Sequence, residues 1–344
     1  MTDARAPTMR GITLQAPGGL DALAIRETSD PGPPGPGEVR VRVRASSLNY
    51  HDWRVCSTVQ NPAFYGIVPM ADGAGVVEAV GEGVREFVVG DMVISVFLPM
   101  WQEGRPRMDH MKVIPGDTVD GYACEYVVRP ADWFTRAPAG WSAVEAATLP
   151  TAGVTAWRAL IEDGALRAGA TVLTLGTGGV SLFALQFAKA LGAKVVITSS
   201  SDEKLERARA FGADHTINYR TTTDWATEVV SLTGGRGADH VLEMGGADTL
   251  EQSVLAARDG GHIALIGALT GHAVQAPIGL VMRKHVNLQG VVVGSRMHQQ
   301  SMVDAIEALG LRPVVDKVFG LDELADAFRF EKAGRHFGKV CVQW

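Results

Sequence analysis

VLTLGTGGVSLFALQFAKALGAKVVITSSS, residues 172–201, is the stretch that decides the fold. An apolar run ends at Leu175, and Gly176-Thr177-Gly178-Gly179 makes a tight turn. From about Val180 a helix begins, and KVVITSSS (194–201) is a second apolar run. Strand, glycine turn, helix and strand form one βαβ unit. Amides at the start of such a helix point outward and carry partial positive charge, which suits a pyrophosphate. Gly178 lets the backbone come close to the phosphates, so Gly176, Thr177, Gly178, Gly179 and Val180 are the candidate phosphate-binding residues. Ser181 replaces the third glycine of the GxGxxG pattern and is small enough for the helix to pack on its strand.

Outward from this stretch the pattern repeats. TVLTLGTGG (171–179), KVVITSSS, HTINY (215–219), ADHVLEM (238–244), GHIALIGAL (261–269) and NLQGVVVGS (287–295) are short apolar runs. Between them lie helical stretches such as SLFALQFAKALGA, DEKLERARAFGA and DTLEQSVLAARDG. Six strands alternating with helices predict an α/β fold with a doubly wound parallel sheet, a Rossmann domain over residues 152–296. A glycine motif by itself is weak evidence; in the first of six such units it is strong.

Residues before this region read differently. VRVRVRASS (39–47) alternates, with Val39, Val41 and Val43 on one face and arginines on the other. GAGVVEAVGEGV (73–84) and DMVISVF (91–97) read as further strands, and residues 98–118 as a long polar, irregular loop. The tail, ADAFRFEKAGRHFGKVCVQW (325–344), reads as a helix and a strand that return to the first domain. Residues 1–151 with 297–344 are thus expected to form a β-rich domain.

Length agrees with this, since 344 residues at roughly 100–200 per domain suggest two domains. With 46% apolar and 20% charged residues the chain is an ordinary globular protein, and its net charge of −6 offers nothing to nucleic acid or an anionic membrane. Cys56, Cys124 and Cys341 make no CxxC pair, which excludes a disulfide framework and a cysteine zinc site. A reducing, cytoplasmic setting is expected. MTDARAPTMR has no apolar core of a secretory leader, and the uncharged stretch 168–188 is too rich in Gly and Thr for a membrane helix.

The second strand bears on the cofactor. An NAD site places Asp or Glu at its end to hold the ribose 2′-hydroxyl. Here Ser199-Ser200-Ser201 stands there, followed by Lys204. Hydroxyls and a lysine suit a 2′-phosphate, so NADP(H) is expected. The bland alternative for Lys204 is a solvated residue of the first helical turn.

GTGGVSLFALQFAKALGA, SSSDEKLERARAFGADHTINY and the closing HFGK, in this order behind a β-rich domain, resemble the medium-chain dehydrogenase/reductase superfamily over essentially the whole chain. The similarity is greatest to its zinc-free quinone oxidoreductase and zinc-independent alcohol dehydrogenase-like branches. The resemblance implies a GroES-like catalytic domain. It implies that Lys204 and Tyr219 hold the 2′-phosphate, and that backbone at Ile266, Gly267, Ala268, Val291 and Val293 grips the carboxamide. Thr155 matches a threonine packed against the nicotinamide. The zinc ligands of metal-dependent relatives fall on Asn49, Ala71 and Thr151, none of them thiolate or imidazole, so no metal is expected. Resembling proteins pair the sixth strand across a two-fold axis, which implies a homodimer through residues 287–295.

Without a Lewis acid, a carbonyl must be polarised by hydrogen-bond donors and the cofactor's field. Conjugated acceptors need less help, because charge spreads into an enolate or hydroquinone. Candidate catalytic residues cluster in Asn49-Tyr50-His51-Asp52. Asn49 offers an amide N–H to a carbonyl, Tyr50 a phenol, and His51 a proton with a pKa near neutrality, while Asp52 orients its neighbours. The alternative is that Tyr50 packs in the core and His51 binds backbone. Tyr65, Phe97, Trp101 and Trp133 are possible pocket walls, and Cys124 reads as a buried, inert thiol. Taken together the sequence predicts an NADPH-dependent, zinc-free oxidoreductase acting on an activated C=C bond or a quinone. The rivals are a metal-free alcohol dehydrogenase or ketone reductase, and a non-catalytic NADPH-binding protein.

Overall fold

A computed structural model describes residues 7–271 and 277–344. The leader-free reading of the first ten residues falls largely outside them. The chain divides into two compact units, one ending at Ala152 and resuming as Val293–Trp344, the other Gly153–Val292. The sequence pattern puts these divisions at 151/152 and 296/297, one and four residues away.

In the first unit, strands β1 (Thr8–Leu14) and β2 (Leu23–Ser29) form an antiparallel pair. Strands β3 (Glu38–Ser47), β4 (Ala74–Val80), β5 (Met92–Ser95), β6 (Tyr126–Pro130) and β7 (Phe134–Arg136) follow. On β3, Val39, Val41 and Val43 are buried, as alternation predicts. Its opposite face carries Arg40, which forks onto Asp30 (2.6 and 2.8 Å) and lies over the Tyr126 ring.

The second unit holds β8 (Thr171–Leu175), β9 (Lys194–Ser199), β10 (His215–Asn218), β11 (Ala238–Glu243), β12 (Ala257–Leu265) and β13 (Asn287–Gly290). All pair in parallel, in the order β10-β9-β8-β11-β12-β13. This is the doubly wound arrangement, and its strand order reverses between β8 and β11. Leu173, Val196, Val241 and Ile263 form the centre of its core with Val229 and Val254 from the covering helices.

The tail returns to the first unit. Strands β14 (Val315–Gly320) and β15 (Lys339–Gln343) extend its sheet to β14-β15-β3-β4-β5-β7, with β6 pairing on β3. Helix Leu324–Lys332 packs Leu324, Ala327 and Phe328 into that unit's core.

Two expectations need correction. The loop 98–118 is not simply polar and irregular: Leu98 and Trp101 are buried, Met108–Lys112 forms a 3₁₀ turn, and Trp101 O accepts from Arg296 N–H (2.9 Å). The Trp101 ring stacks on His110 and meets His298 edge-on, so the apolar anchor fixes what the polar residues obscured. Nor is the run 287–295 strand throughout, Val291 and Val293 lying outside it. The strand stops at Gly290, and both side chains are buried.

Candidate functional site

In the second unit, β8 leads into Gly176, whose φ of 78° belongs to the left-handed region that glycine enters freely. Helix Gly179–Ala190 then starts without a side-chain cap, its Ncap being Gly178. Orphan amides at a helix start are satisfied by a cap, water or a ligand. A Cβ added at Gly176 or Gly178 would meet no atom within 4 Å, so the turn opens onto free space that a phosphate can enter. Ser181 is buried and donates to Leu175 O (2.9 Å), sealing helix to strand. The residues fit a nucleotide.

At the ends of β9 and β10 the candidates for the ribose meet. Tyr219 N–H donates to Ser199 O (3.1 Å), and Ser201 Oγ caps helix Asp202–Ala210 by accepting from Lys204 N–H (3.4 Å). Ser200 lies between them, and the Tyr219 side chain is exposed. The sequence reading passed over Asp202, whose Oδ1 accepts from Asn218 Nδ2 (2.7 Å). This carboxylate sits on the helix, three residues beyond the strand end where an NAD-type acid is placed. Ile266 and Gly267 leave β12, and both donate to Glu243 O (3.0 and 3.1 Å), with Ala268 next in the loop. Thr155 is buried in helix Val154–Trp157. Val293, in the first unit, has φ 46°, a strained value for a β-branched residue.

The first unit contains a different construction. Asn49 caps helix Tyr50–Ser57, and Asp52 accepts from Asn49 N–H (3.0 Å) and from Ala71 N–H (2.9 Å). Buried Asp72 gathers the rest: its Oδ2 accepts from Ser47 Oγ (2.7 Å) and Asn49 Nδ2 (2.8 Å), its Oδ1 from Thr151 Oγ1 (2.6 Å). Lys339, buried on β15, donates to Asn49 Oδ1 (2.7 Å) and to Leu48 O. Burial pushes the Asp72 carboxyl up, and the Lys339 charge pulls it back. Partly buried Glu331 shares the neighbourhood, and burial raises its carboxyl to about 7 against the pull of Lys339.

His51 lies between two carboxylates. Its Nε2 is 2.9 Å from Asp117 Oδ2, and its Nδ1 is 3.7 Å from Asp52 Oδ1, too long for a hydrogen bond but close enough for charge. Burial lowers its pKa, yet the Asp117 hydrogen bond and the charges of Asp52 and Asp117 outweigh this and raise it to about 9. The expectation of a pKa near neutrality is therefore corrected. Nδ1 is buried and has no hydrogen-bond partner among the described residues. Tyr50 is exposed, stacked on Trp53 beneath Lys332.

Structure and sequence differ at Asn49. Its amide, expected to face a carbonyl, donates to Asp72, to Asp52 (3.1 Å) and to Ser47 O (3.3 Å). Sequence reasoning missed Asp117, Lys339 and the gathering role of Asp72. Asp117 follows His51 by 66 residues, so no local spacing announces it. The one available signal for Lys339 is a lysine inside the apolar run KVCV. Of the proposed pocket walls, Phe97 meets the His51 ring edge-on and Trp101 anchors the loop. Tyr65 donates to Pro17 O (3.0 Å), and Trp133 lies under Arg129. Burial raises the Cys124 thiol to about 12, so it is not a thiolate nucleophile.

Two family models match the chain: the alcohol dehydrogenase GroES-like domain over residues 35–139 and the zinc-binding dehydrogenase over 179–309. A zinc-type alcohol dehydrogenase-like protein of Schizosaccharomyces pombe is 42% identical, over 94% of this chain and 96% of its own. A quinone oxidoreductase of Pseudomonas aeruginosa is 33% identical, over 92% of this chain and 88% of its own. Among solved structures, an NAD-dependent alcohol dehydrogenase superposes with a TM-score of 0.87 at 36% identity, covering 98% of this chain and all of that one. The donors around Asp72 do not fit the zinc that the second model's description implies. Zinc takes thiolate, imidazole or carboxylate, whereas Asn49 and Thr151 are neutral, Ala71 has no donor, and both Asp72 oxygens are occupied. Among the described residues no group of three His, Cys, Asp or Glu could hold a metal ion. No helix there is long and apolar enough to cross a membrane.

Proposed function

Because this chain belongs to the medium-chain dehydrogenase/reductase family of nicotinamide-dependent oxidoreductases, we propose that it is an NADPH-dependent reductase of activated C=C bonds or quinones that works without zinc. One observation carries the reading. The Ser47, Asn49 and Thr151 donors all turn onto Asp72, so the metal positions offer no thiolate, imidazole or free carboxylate that would hold a Lewis acid. A simple ketone needs such polarisation; an enone or quinone delocalises the incoming charge and does not.

Gly176, Thr177, Gly178, Gly179 and Val180 hold the pyrophosphate, and Ser199, Ser200, Lys204 and Tyr219 the 2′-phosphate. Thr155, Ile266, Gly267, Ala268, Val291 and Val293 line the nicotinamide. The bound, reduced cofactor supplies the hydride. His51 supplies the proton: Asp117 keeps it charged, and its unpartnered Nδ1–H marks a donor awaiting an acceptor. Asn49 and Asp52 position this segment, and Tyr50 is the second candidate donor. The protein acts on small molecules; we further propose a homodimer through the edge strand β13 and a cytoplasmic setting.

An NAD-dependent alcohol dehydrogenase among the structural relatives favours the rival reading, reduction of a saturated ketone. Initial rates of NADPH oxidation with cyclohexenone, a benzoquinone and cyclohexanone separate the two. The enone or quinone should react at least about tenfold faster, each tenfold being 1.4 kcal/mol of barrier. Preference for the ketone would establish the rival, and no turnover would leave a nucleotide-binding protein.

A further inference from the structure

One buried carboxylate in the second unit has no part in the phosphate turn or the ribose site. Glu243, the last residue of β11, is fully buried. Its Oε1 accepts from the N–H groups of Gly245 (2.7 Å) and Gly246 (2.9 Å) and from Thr249 Oγ1 (2.5 Å), and its Oε2 accepts from Ser253 Oγ. Its carbonyl takes the N–H groups of Ile266 and Gly267. A single residue therefore fastens the loop after β11, the helix Leu250–Ala256 and the chain leaving β12.

The two loops are also tied to each other. Thr270 N–H donates to Gly245 O (2.8 Å), and Asp248 N–H donates to Thr270 Oγ1 (3.0 Å). They approach so closely that a Cβ on Gly267 would lie 2.1 Å from Met244 O. Register places Leu242 opposite Thr174, so Glu243 ends its strand level with Leu175, the residue before the phosphate turn. The strand order reverses here, and ligands of such sheets bind beyond the carboxyl ends of strands at this point.

We propose that Glu243 is a positioning residue for the nicotinamide end of the cofactor, holding loops 244–249 and 266–271 in the shape that seats it. This rests on the reading of Ile266, Gly267 and Ala268 as carboxamide contacts. Glu243 touches no reacting atom. Its buried carboxyl group keeps the four donors it has from the loop and the helix, because an unpaired polar group is costly to bury. Those donors fix the loop backbone in turn.

The test is binding by the full chain, using whichever of NADPH and NADH the wild type prefers and the matching ADP-ribose fragment without nicotinamide. Glu243→Ala should weaken the reduced cofactor by about tenfold or more and the fragment by less than about twofold, because ångström-scale misplacement acts on the seated ring alone. Glu243→Gln, which keeps an acceptor for the Gly245 and Gly246 N–H groups, should restore most of the loss. Thr249→Val removes one bond and serves if Glu243→Ala does not fold; it should show the same selective loss. Equal weakening of cofactor and fragment, or no weakening, would overturn the proposal. A wild type that binds both ligands equally would overturn the carboxamide reading itself.

Discussion

The phosphate turn and the Asp72 network are made of different materials. At Gly176–Val180 the groups proposed to hold the phosphates are backbone amides, and the side chains matter mainly by being small. At Asp72 the groups are side chains from β3, the Asn49 cap, Thr151 and β15, brought together from both ends of the chain. A site of the first kind is written in consecutive residues and tolerates change elsewhere. One of the second kind is a charge balance, in which removing one member strands the others.

The sharpest way to break this contrast is Lys339→Met. It removes two hydrogen bonds from a charged group, to Leu48 O and Asn49 Oδ1, and should cost about 3–5 kcal/mol of stability at about 1.5–3 kcal/mol each. Urea denaturation measures it, and a loss below about 1 kcal/mol, the range of an exposed pair, would show that the charge balance is not structural.

Next in size is a contrast between two histidines. Burial beside His262 depresses the pKa of His240 to about 4, while Asp117 and Asp52 raise that of His51 to about 9 despite burial. From pH 6.5 down to 4 the unfolded chain takes up a proton that folded His240 refuses, so stability falls with acid. From 6.5 up to 9 folded His51 keeps a proton that the unfolded chain releases, so stability falls with base. Each limb is worth about 3 kcal/mol at 1.36 kcal/mol per pKa unit. In a pH series of denaturation midpoints, the difference from the wild type should develop between pH 6.5 and 4 for His240→Asn and between 6.5 and 9 for His51→Gln. Unchanged limbs would contradict the two environments.

Smaller effects belong to the nucleotide unit. Lys204→Ala and Tyr219→Phe should each raise the KM for NADPH about 10- to 100-fold and leave that for NADH nearly unchanged, one charge-assisted hydrogen bond being worth about 1.5–3 kcal/mol. Equal use of NADH by the wild type would contradict this, and would turn attention to Asp202. Gly178→Ala should lower cofactor affinity by about tenfold with no change in melting temperature, because the added Cβ meets no protein atom within 4 Å and enters the space proposed for the phosphates.

What the sequence revealed follows the same division. The six parallel strands, the glycine turn and the pairing of Tyr219 with Ser199 depend on local patterning and strand order, both legible in linear residues. The partners of His51 and Asn49 are not. Asp117 arrives on a loop whose polar residues hid the buried Trp101 anchor, and Lys339 arrives on the last strand through antiparallel pairing of Cys341 with Ser47. The direction of the Asn49 amide was not legible, because it depends on Asp72, 23 positions away.

The central claim is that the Asp72 network stands in place of a catalytic metal. Elemental analysis of the active, purified protein tests it most directly. The account predicts well under one zinc per chain, with full turnover of the preferred acceptor after prolonged chelation. One tightly held zinc per chain, lost together with activity, would contradict it.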